Sequence, residues 1–133
     1  ASPDDLRVLN NRRVLVVDDQ EDTRVLLRNL LQNHKVHVET ASSASEALQA
    51  LQNTNFDALV SDIGMPGEDG YSLIQKLRAG NSSNKTIPAV AFSAFAREED
   101  RQRALHVGFT DYQSKPISPR EFVHALTRLF SRQ

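Results

Sequence analysis

The sequence predicts a three-layer α/β domain, a parallel sheet with helices on both faces. Two observations carry that prediction. Four short runs rich in Val, Ile, Leu and Ala, and a fifth, polar strand-like run, alternate with five stretches of helical periodicity along 133 residues. Several of those runs are apolar almost without interruption, as strands covered on both faces must be. Right-handed crossovers then leave few topologies, and no internal repeat of the solenoid kind competes with them.

The first strand is read in Arg13–Asp19, RVLVVDD. The following EDTRVLLRNLLQNH sets Leu26, Leu27, Leu30 and Leu31 along one helical stripe. Val36–Ala41, VHVETA, alternates and is β-branched, which suits a strand nearer a sheet edge. SASEALQALQ opens with Ser43 and Glu46 three apart, the spacing of a capping box, and repeats Leu48 and Leu51 at helical spacing. FDALVSD is the third strand, and YSLIQKLRA the third helix, stopped by Gly80. After the polar loop NSSNKT come the strand IPAVAFSA and the charged helix REEDRQRALHVG, which ends on Gly108. Its REEDRQR run is expected to be a solvated face with internal ion pairs. A short strand, TDYQSK, leads to PISPREFVHALTRLF, where Ser118, Pro119 and Glu121 make a helix start.

At this length the chain is one domain with one core. A net charge of −1 argues against a general binder of nucleic acid or anionic membranes, since either needs a basic excess. Without cysteine there are no disulfides or thiolate metal sites, which fits a reducing compartment and a cytoplasmic location. No apolar run reaches the ~18 residues that a membrane span needs. The polar start, ASPDDLRVLNNRR, does not have the pattern of a secretory signal and begins without Met. It reads as the cut end of a longer protein, with residues 1–11 a linker and 12–133 the domain.

In open α/β sheets, ligands bind beyond the carboxyl ends of the strands. Here the first strand ends in Asp18 and Asp19, the third in Asp62, the fourth in Ser93 and the fifth in Lys115 and Pro116. Each has a plain reading alone: aspartates form turns and cap helices, a serine bonds its own backbone, a lysine is solvated. Together they bring three carboxylates, a hydroxyl and an ammonium to one edge. Crowded carboxylates repel one another and call for a cation, and an all-oxygen donor set suits Mg²⁺ rather than zinc or copper. With a lysine charge and a serine donor beside it, such a set is what a transferring phosphoryl group needs. A carboxylate can itself be the nucleophile. His34, His37, His106 and His124 lack metal spacing, and GMPGEDG matches no Gly-rich phosphate loop.

The segments VDD, SDIGMPGEDG, FSA and DYQSKPI, in that order between Arg13 and Phe130, resemble the receiver domain of two-component response regulators. SDIGMPGEDGYSLI is similar in particular to receivers attached to hybrid sensor histidine kinases. The resemblance implies the flavodoxin-like (βα)5 fold with sheet order 2-1-3-4-5. It implies that Asp62 is the phosphoacceptor and that Asp18, Asp19, Asp62 and the backbone carbonyl of Gly64 form a Mg²⁺ (or Mn²⁺) site. In that site Asp19 is the direct acidic ligand and Asp18 acts largely through water. Ser93 and Lys115 bind the phosphoryl group, Ser93 and Tyr112 form the switch, and the Lys115–Pro116 bond is expected to be cis.

The implied partner is a sensor histidine kinase or a histidine phosphotransfer protein, with no direct nucleic-acid or membrane contact. Such domains promote their own phosphorylation and dephosphorylation, and a parent chain of the hybrid type would be a histidine protein kinase. The output face is implied to be the fourth helix, fifth strand and fifth helix, which is compatible with homodimers. Gly64 and Phe95, two residues beyond Asp62 and Ser93, offer no polar side chain to position a hydrolytic water. The phosphorylated form is therefore expected not to be short-lived.

Three other readings compete. A Mg²⁺-dependent phosphohydrolase with an aspartyl nucleophile carries a second aspartate where Gly64 stands. A flavodoxin-like nucleotide or flavin module would not line its pocket with carboxylates. A degenerate receiver serving only to bind proteins would not keep the acidic set whole.

Overall fold

The computed structural model describes residues 6–94 and 97–131. Five strands run in it: β1 (Arg13–Val17), β2 (His37–Ala41), β3 (Ala58–Asp62), β4 (Ala89–Ser93) and β5 (Asp111–Ser114). They alternate with the helices α1 (Glu21–Gln32), α2 (Ala44–Asn53), α3 (Gly70–Ala79), α4 (Glu98–Val107) and α5 (Pro119–Ser131). The sheet is parallel throughout in the order β2-β1-β3-β4-β5, so the predicted class and strand order hold.

Burial follows that order. The central strands β3 and β4 are buried at every residue, whereas the edges β2 and β5 are only partly covered. Where one core was expected, the sheet divides the buried interior in two: because successive side chains of a strand face opposite ways, Val14, Val16, Val60 and Phe92 join one core and Leu15, Val17, Leu59 and Ala91 the other. The first core is closed by Leu27 and Leu31 of α1 with Phe122, Leu126 and Phe130 of α5. The second is closed by Leu51 of α2, Leu73, Ile74 and Leu77 of α3, and Ala104 of α4.

Packing revises several sequence expectations at the residue level. Leu26 is 48% exposed, so the buried stripe of α1 is Leu27 and Leu31 with Leu30 half-covered. Leu26 sits about 100° round the helix from Leu27 and misses the sheet. Leu9, assigned to the linker, is fully buried in the α1–α5 core, and Leu6–Leu9 form a 3-10 turn that packs on α5. The packed body therefore starts before residue 12. Helix α1 stops at Gln32, short of His34, because Lys35 takes φ 62° and its N–H bonds the Gln32 carbonyl at 3.0 Å. Half of the Ser43 capping box is made: Ser43 Oγ accepts from the Glu46 N–H at 3.2 Å, while the Glu46 carboxylate takes the Ser42 hydroxyl. The charged face of α4 carries the expected pairs, Arg97 with Asp100 at 3.4 Å and Arg101 with Glu98 at 3.5 Å.

At the far end of the sheet, Arg78 holds three segments together through neutral acceptors. Its Nε and Nη2 donate to the Gly108 carbonyl at 3.1 and 2.8 Å, and its Nη1 donates to the carbonyls of Lys85 at 3.0 Å and Ile87 at 2.6 Å. Gly108 has φ 129°, and a Cβ there would lie 3.0 Å from Arg78 Cγ, so glycine lets the α4 terminus approach. Arg78→Met keeps the stem and removes every donor. It is expected to cost about 2–3 kcal/mol in urea unfolding, since a charged donor is lost and partly buried carbonyls are left short. The loss should barely change between low and high salt, because the partners carry no charge.

Candidate functional site

The site is built by the strand ends. Strand β1 stops at Val17, two residues before the end read from sequence, but the Asp18 N–H still pairs with the Ala41 carbonyl at 3.1 Å. The chain then turns, and the Gln20 N–H donates to Asp18 Oδ1 at 2.8 Å. Arg24, from the first turns of α1, reaches back so that its Nη1 donates to the Asp18 main-chain carbonyl at 2.8 Å. Asp18 is fully buried, whereas Asp19 stands half-exposed at the rim with the Gln20 amide 3.4 Å away.

Asp62 is the last residue of β3 and is 4% exposed. Its Oδ1 accepts from the Gly64 N–H at 3.3 Å. The loop beyond it folds back tightly: the Gly70 N–H donates to the Ile63 carbonyl at 3.0 Å, and a Cβ on Gly70 would lie 2.5 Å from the Asp62 carbonyl oxygen. Only glycine lets α3 begin so close to the end of β3. Asp69 caps that helix, its Oδ1 accepting from the Ser72 N–H at 2.9 Å.

Lys115 follows β5 and crosses the edge. Its N–H pairs with the Ser93 carbonyl at 2.7 Å, and its Nζ lies 3.2 Å from Asp18 Oδ2 and 3.4 Å from Asp62 Oδ2. The Lys115–Pro116 peptide is cis. One carboxylate oxygen from each of Asp18, Asp19 and Asp62 lies within 4.8 Å of the others. Burial pushes the Asp18 carboxyl above the usual value and the charge of Asp62 adds to the rise, while the Gln20 N–H and Lys115 oppose it. One ammonium thus faces three carboxylates. An all-oxygen, net-negative, half-open cluster of this kind fits a hard divalent cation such as Mg²⁺, with exposed Gly64 beside it.

On the α4 side, Ser93 is 3% exposed and hydrogen-bonded to the Tyr112 hydroxyl. Burial raises the Tyr112 pKa against the pull of that bond. Tyr71 lies below, its hydroxyl donating to the Asp100 carbonyl at 3.5 Å and its ring 4.1 Å from the Arg103 guanidinium. Ser93, Tyr71, Asp100, Arg103 and Met65 line a cavity of about 380 Å³ between the β3–α3 loop and α4.

Asp18, Asp19, Asp62 and Lys115 are brought together, Gly64 flanks them, and Ser93 and Tyr112 meet each other next to the cluster. Phe95 lies outside the described residues. Sequence reasoning did not single out Gln20, Arg24, Gly70, Tyr71 or Arg103. Gly70, after the capping Asp69, carried a usable signal; Arg24 and Arg103 read as ordinary solvated helix residues.

The family model of the response regulator receiver domain matches residues 14–127. A protein of Leptolyngbya boryana, described as an uncharacterized 14.6 kDa protein in the sodA1 3'region, is 45% identical over 118 residues, covering 89% of each chain. The transcriptional regulatory protein ResD of Bacillus subtilis is 32% identical over 123 residues, which are 92% of this chain and 50% of ResD. This chain therefore spans about half the length of that relative. Among solved structures, the chemotaxis response regulator CheY4 of Vibrio cholerae is similar with a TM-score of 0.84 and 31% identity, covering 90% of this chain and 99% of that one. The receiver domain of the Francisella response regulator 1452 gives a TM-score of 0.85 and 30% identity, over 92% and 98%.

Because the folded protein holds the Asp18 proton more tightly than the unfolded chain does, ionising Asp18 costs stability. That cost is present above the raised pKa and is gone once the pH falls below the ordinary carboxylate value. In metal-free protein, Asp18→Asn is expected to raise the urea midpoint at pH 7, with the gain shrinking as the pH is lowered through the carboxylate range. A variant no more stable than the parent at pH 7 would contradict the assignment of strain to this cluster.

Proposed function

The chain belongs to the response regulator receiver domain family, and from that premise we propose that Asp62 accepts a phosphoryl group from a phosphohistidine of a partner protein. One observation carries the reading. Asp62 is buried at a strand end with an ammonium 3.4 Å from Oδ2 and two further carboxylates within 4.8 Å.

In the proposed reaction an Asp62 oxygen attacks phosphorus in line with the P–N bond of the donor. The new P–O bond forms as the P–N bond breaks, and the imidazole leaves with that electron pair. Lys115, already seated between Asp18 and Asp62, turns its charge to the phosphoryl oxygens without leaving the edge. Asp18, Asp19, Asp62 and the Gly64 carbonyl are the residues that would hold Mg²⁺ or Mn²⁺, whose bound charge offsets that of the carboxylates and phosphoryl oxygens.

Ser93 then exchanges its bond to Tyr112 for one to a phosphoryl oxygen, and Tyr112 follows into the vacated space. The outcome is a shift in population at the face of α4, β5 and α5. The donor is a sensor histidine kinase or a histidine phosphotransfer protein, and the output lies with whatever that face contacts.

Incubation with Mg²⁺ and phosphoramidate, followed by intact mass, tests the reading. The parent protein should gain one phosphoryl group and Asp62→Asn none; an equal gain on the variant would exclude Asp62. Turnover of a phosphoester would favour a phosphohydrolase instead. Because Gly64 and Phe95, two residues beyond Asp62 and Ser93 in the sequence, are both nonpolar, the adduct should persist for minutes after the donor is removed, and loss within seconds would overturn that expectation.

A further inference from the structure

Asp18 is fixed by every polar group it has. Its N–H donates to the Ala41 carbonyl, Oδ1 accepts from the Gln20 N–H, Oδ2 from Lys115 Nζ, and its carbonyl from Arg24 Nη1. The Asp19 carboxylate is the opposite case, with one long hydrogen bond among the described residues, from the Gln20 side chain at 3.4 Å. The peptide that joins Asp19 to Asp18 sets where the Asp19 Cα stands. That peptide is a rigid plane holding the Asp18 carbonyl at one edge and the Asp19 Cα at the other. A donor clamped on the carbonyl therefore also fixes the point from which the next side chain starts.

We propose that Arg24 is a positioning residue, which through the Asp18 carbonyl holds the Asp19 carboxylate in place for a divalent cation. The inference rests on the reading of Asp18, Asp19 and Asp62 as the metal site. The guanidinium acts through the backbone rather than through charge. The charges that bear on the Asp18 carboxyl are those of Asp62 and Lys115, and among the described residues Arg24 forms no ion pair with the three carboxylates. The bond also spans six residues, so it ties the first turns of α1 to the end of β1 across the loop that carries both acids. Arg28, one turn further along α1, makes no side-chain hydrogen bond or ion pair among the described residues and serves as the control for charge.

The test is Mn²⁺ affinity of the full chain, read from the electron paramagnetic resonance signal of the free ion, together with backbone amide shifts of the metal-free protein. Arg24→Met should bind Mn²⁺ about tenfold more weakly, the lower end of the effect of losing a group that orients a ligand. Arg24→Lys, which keeps one donor, should recover part of the loss, and Arg28→Met should stay within about twofold of the parent. The amides of Asp19 and Gln20 should shift in Arg24→Met and not in Arg28→Met.

Affinity unchanged in Arg24→Met, or lowered equally in Arg28→Met, overturns the proposal. Tighter binding overturns it too, since the guanidinium would then be only a competing cation. If Arg24→Met loses amide dispersion, Arg24→Gln, too short to reach the carbonyl, takes its place with the same expected loss. Asp19→Asn separates the two levels of inference. If it binds Mn²⁺ as the parent does, the metal reading fails and this proposal with it; if it loses binding while the Arg24 variants do not, this proposal alone fails.

Discussion

Lys115 sits between two buried aspartates that the fold places side by side, and the sheet has to be assembled correctly for it to do so. Asp18 comes from the end of β1, Asp62 from the end of β3, and Lys115 from just past β5, which lies two strands away from β3. The registers that bring them together run Val17 beside Ser61, Asp62 beside Phe92 and Ser93 beside Ser114. A slip of one residue in any of these pairings would send a carboxylate or the lysine to the opposite face and part the ammonium from its acids. The same ion pairs that prepare the site therefore also penalise misassembly of the strands.

That arrangement has an energetic cost which is part of its use. Burial and the proximity of Asp62 raise the Asp18 carboxyl, and one lysine cannot balance three acids at this spacing. A chain selected for stability alone would replace one of them with an amide. Retaining all three keeps a net negative socket at the edge, ready for positive charge in the form of a cation. The supporting shell keeps that socket from relaxing: Gly70 lets α3 close behind Asp62, and the Gln20 N–H and Arg24 hold Asp18 from two sides.

The legible parts of the molecule were those that depend on local pattern. Continuous apolar runs such as Val14–Val17 and Ala89–Phe92 announce central strands, and a charge ending such a run, as Asp62 does, stands out because nothing local calls for it. Lys115 and Ser93 became informative only through their order along the chain. Features set by tertiary contact were hidden. Leu9 lies among polar and basic residues, and only the docking of a 3-10 turn on α5 buries it. Leu26 carries the same side chain as Leu27 and differs only in its angle to the sheet. Arg24 and Arg103 look like any helix-surface arginine, since the acceptor of one is a carbonyl six residues back and the partner of the other is a ring on α3. Hydrophobic periodicity has no channel for such partners.

Those same contacts bear on which element the proposed switch can move. Helix α5 buries seven residues along one face, and α3 buries Leu73, Ile74 and Leu77. Helix α4 fully buries Ala104 alone, with Leu105 and Val107 half-covered and Val107 packed on the core, and its first two turns present charge. Its ties to the body include polar or electrostatic contacts: Tyr71 to the Asp100 carbonyl, Arg103 over the Tyr71 ring, and the charge of Asp100 near Tyr112. Apolar burial is roughly proportional to area and resists any displacement, whereas a hydrogen bond or a stacked guanidinium can be exchanged for another of similar strength. An element held mainly by exchangeable contacts has neighbouring arrangements within a few kcal/mol, which is the condition for a population shift. The bond between Ser93 and Tyr112 is a contact of this kind that reaches from the α4 side to the acidic edge, because the Ser93 carbonyl also holds the N–H of Lys115. A phosphoryl group that claimed the Ser93 hydroxyl would therefore act on α4, the helix with the fewest fully buried residues, through a contact the fold already provides.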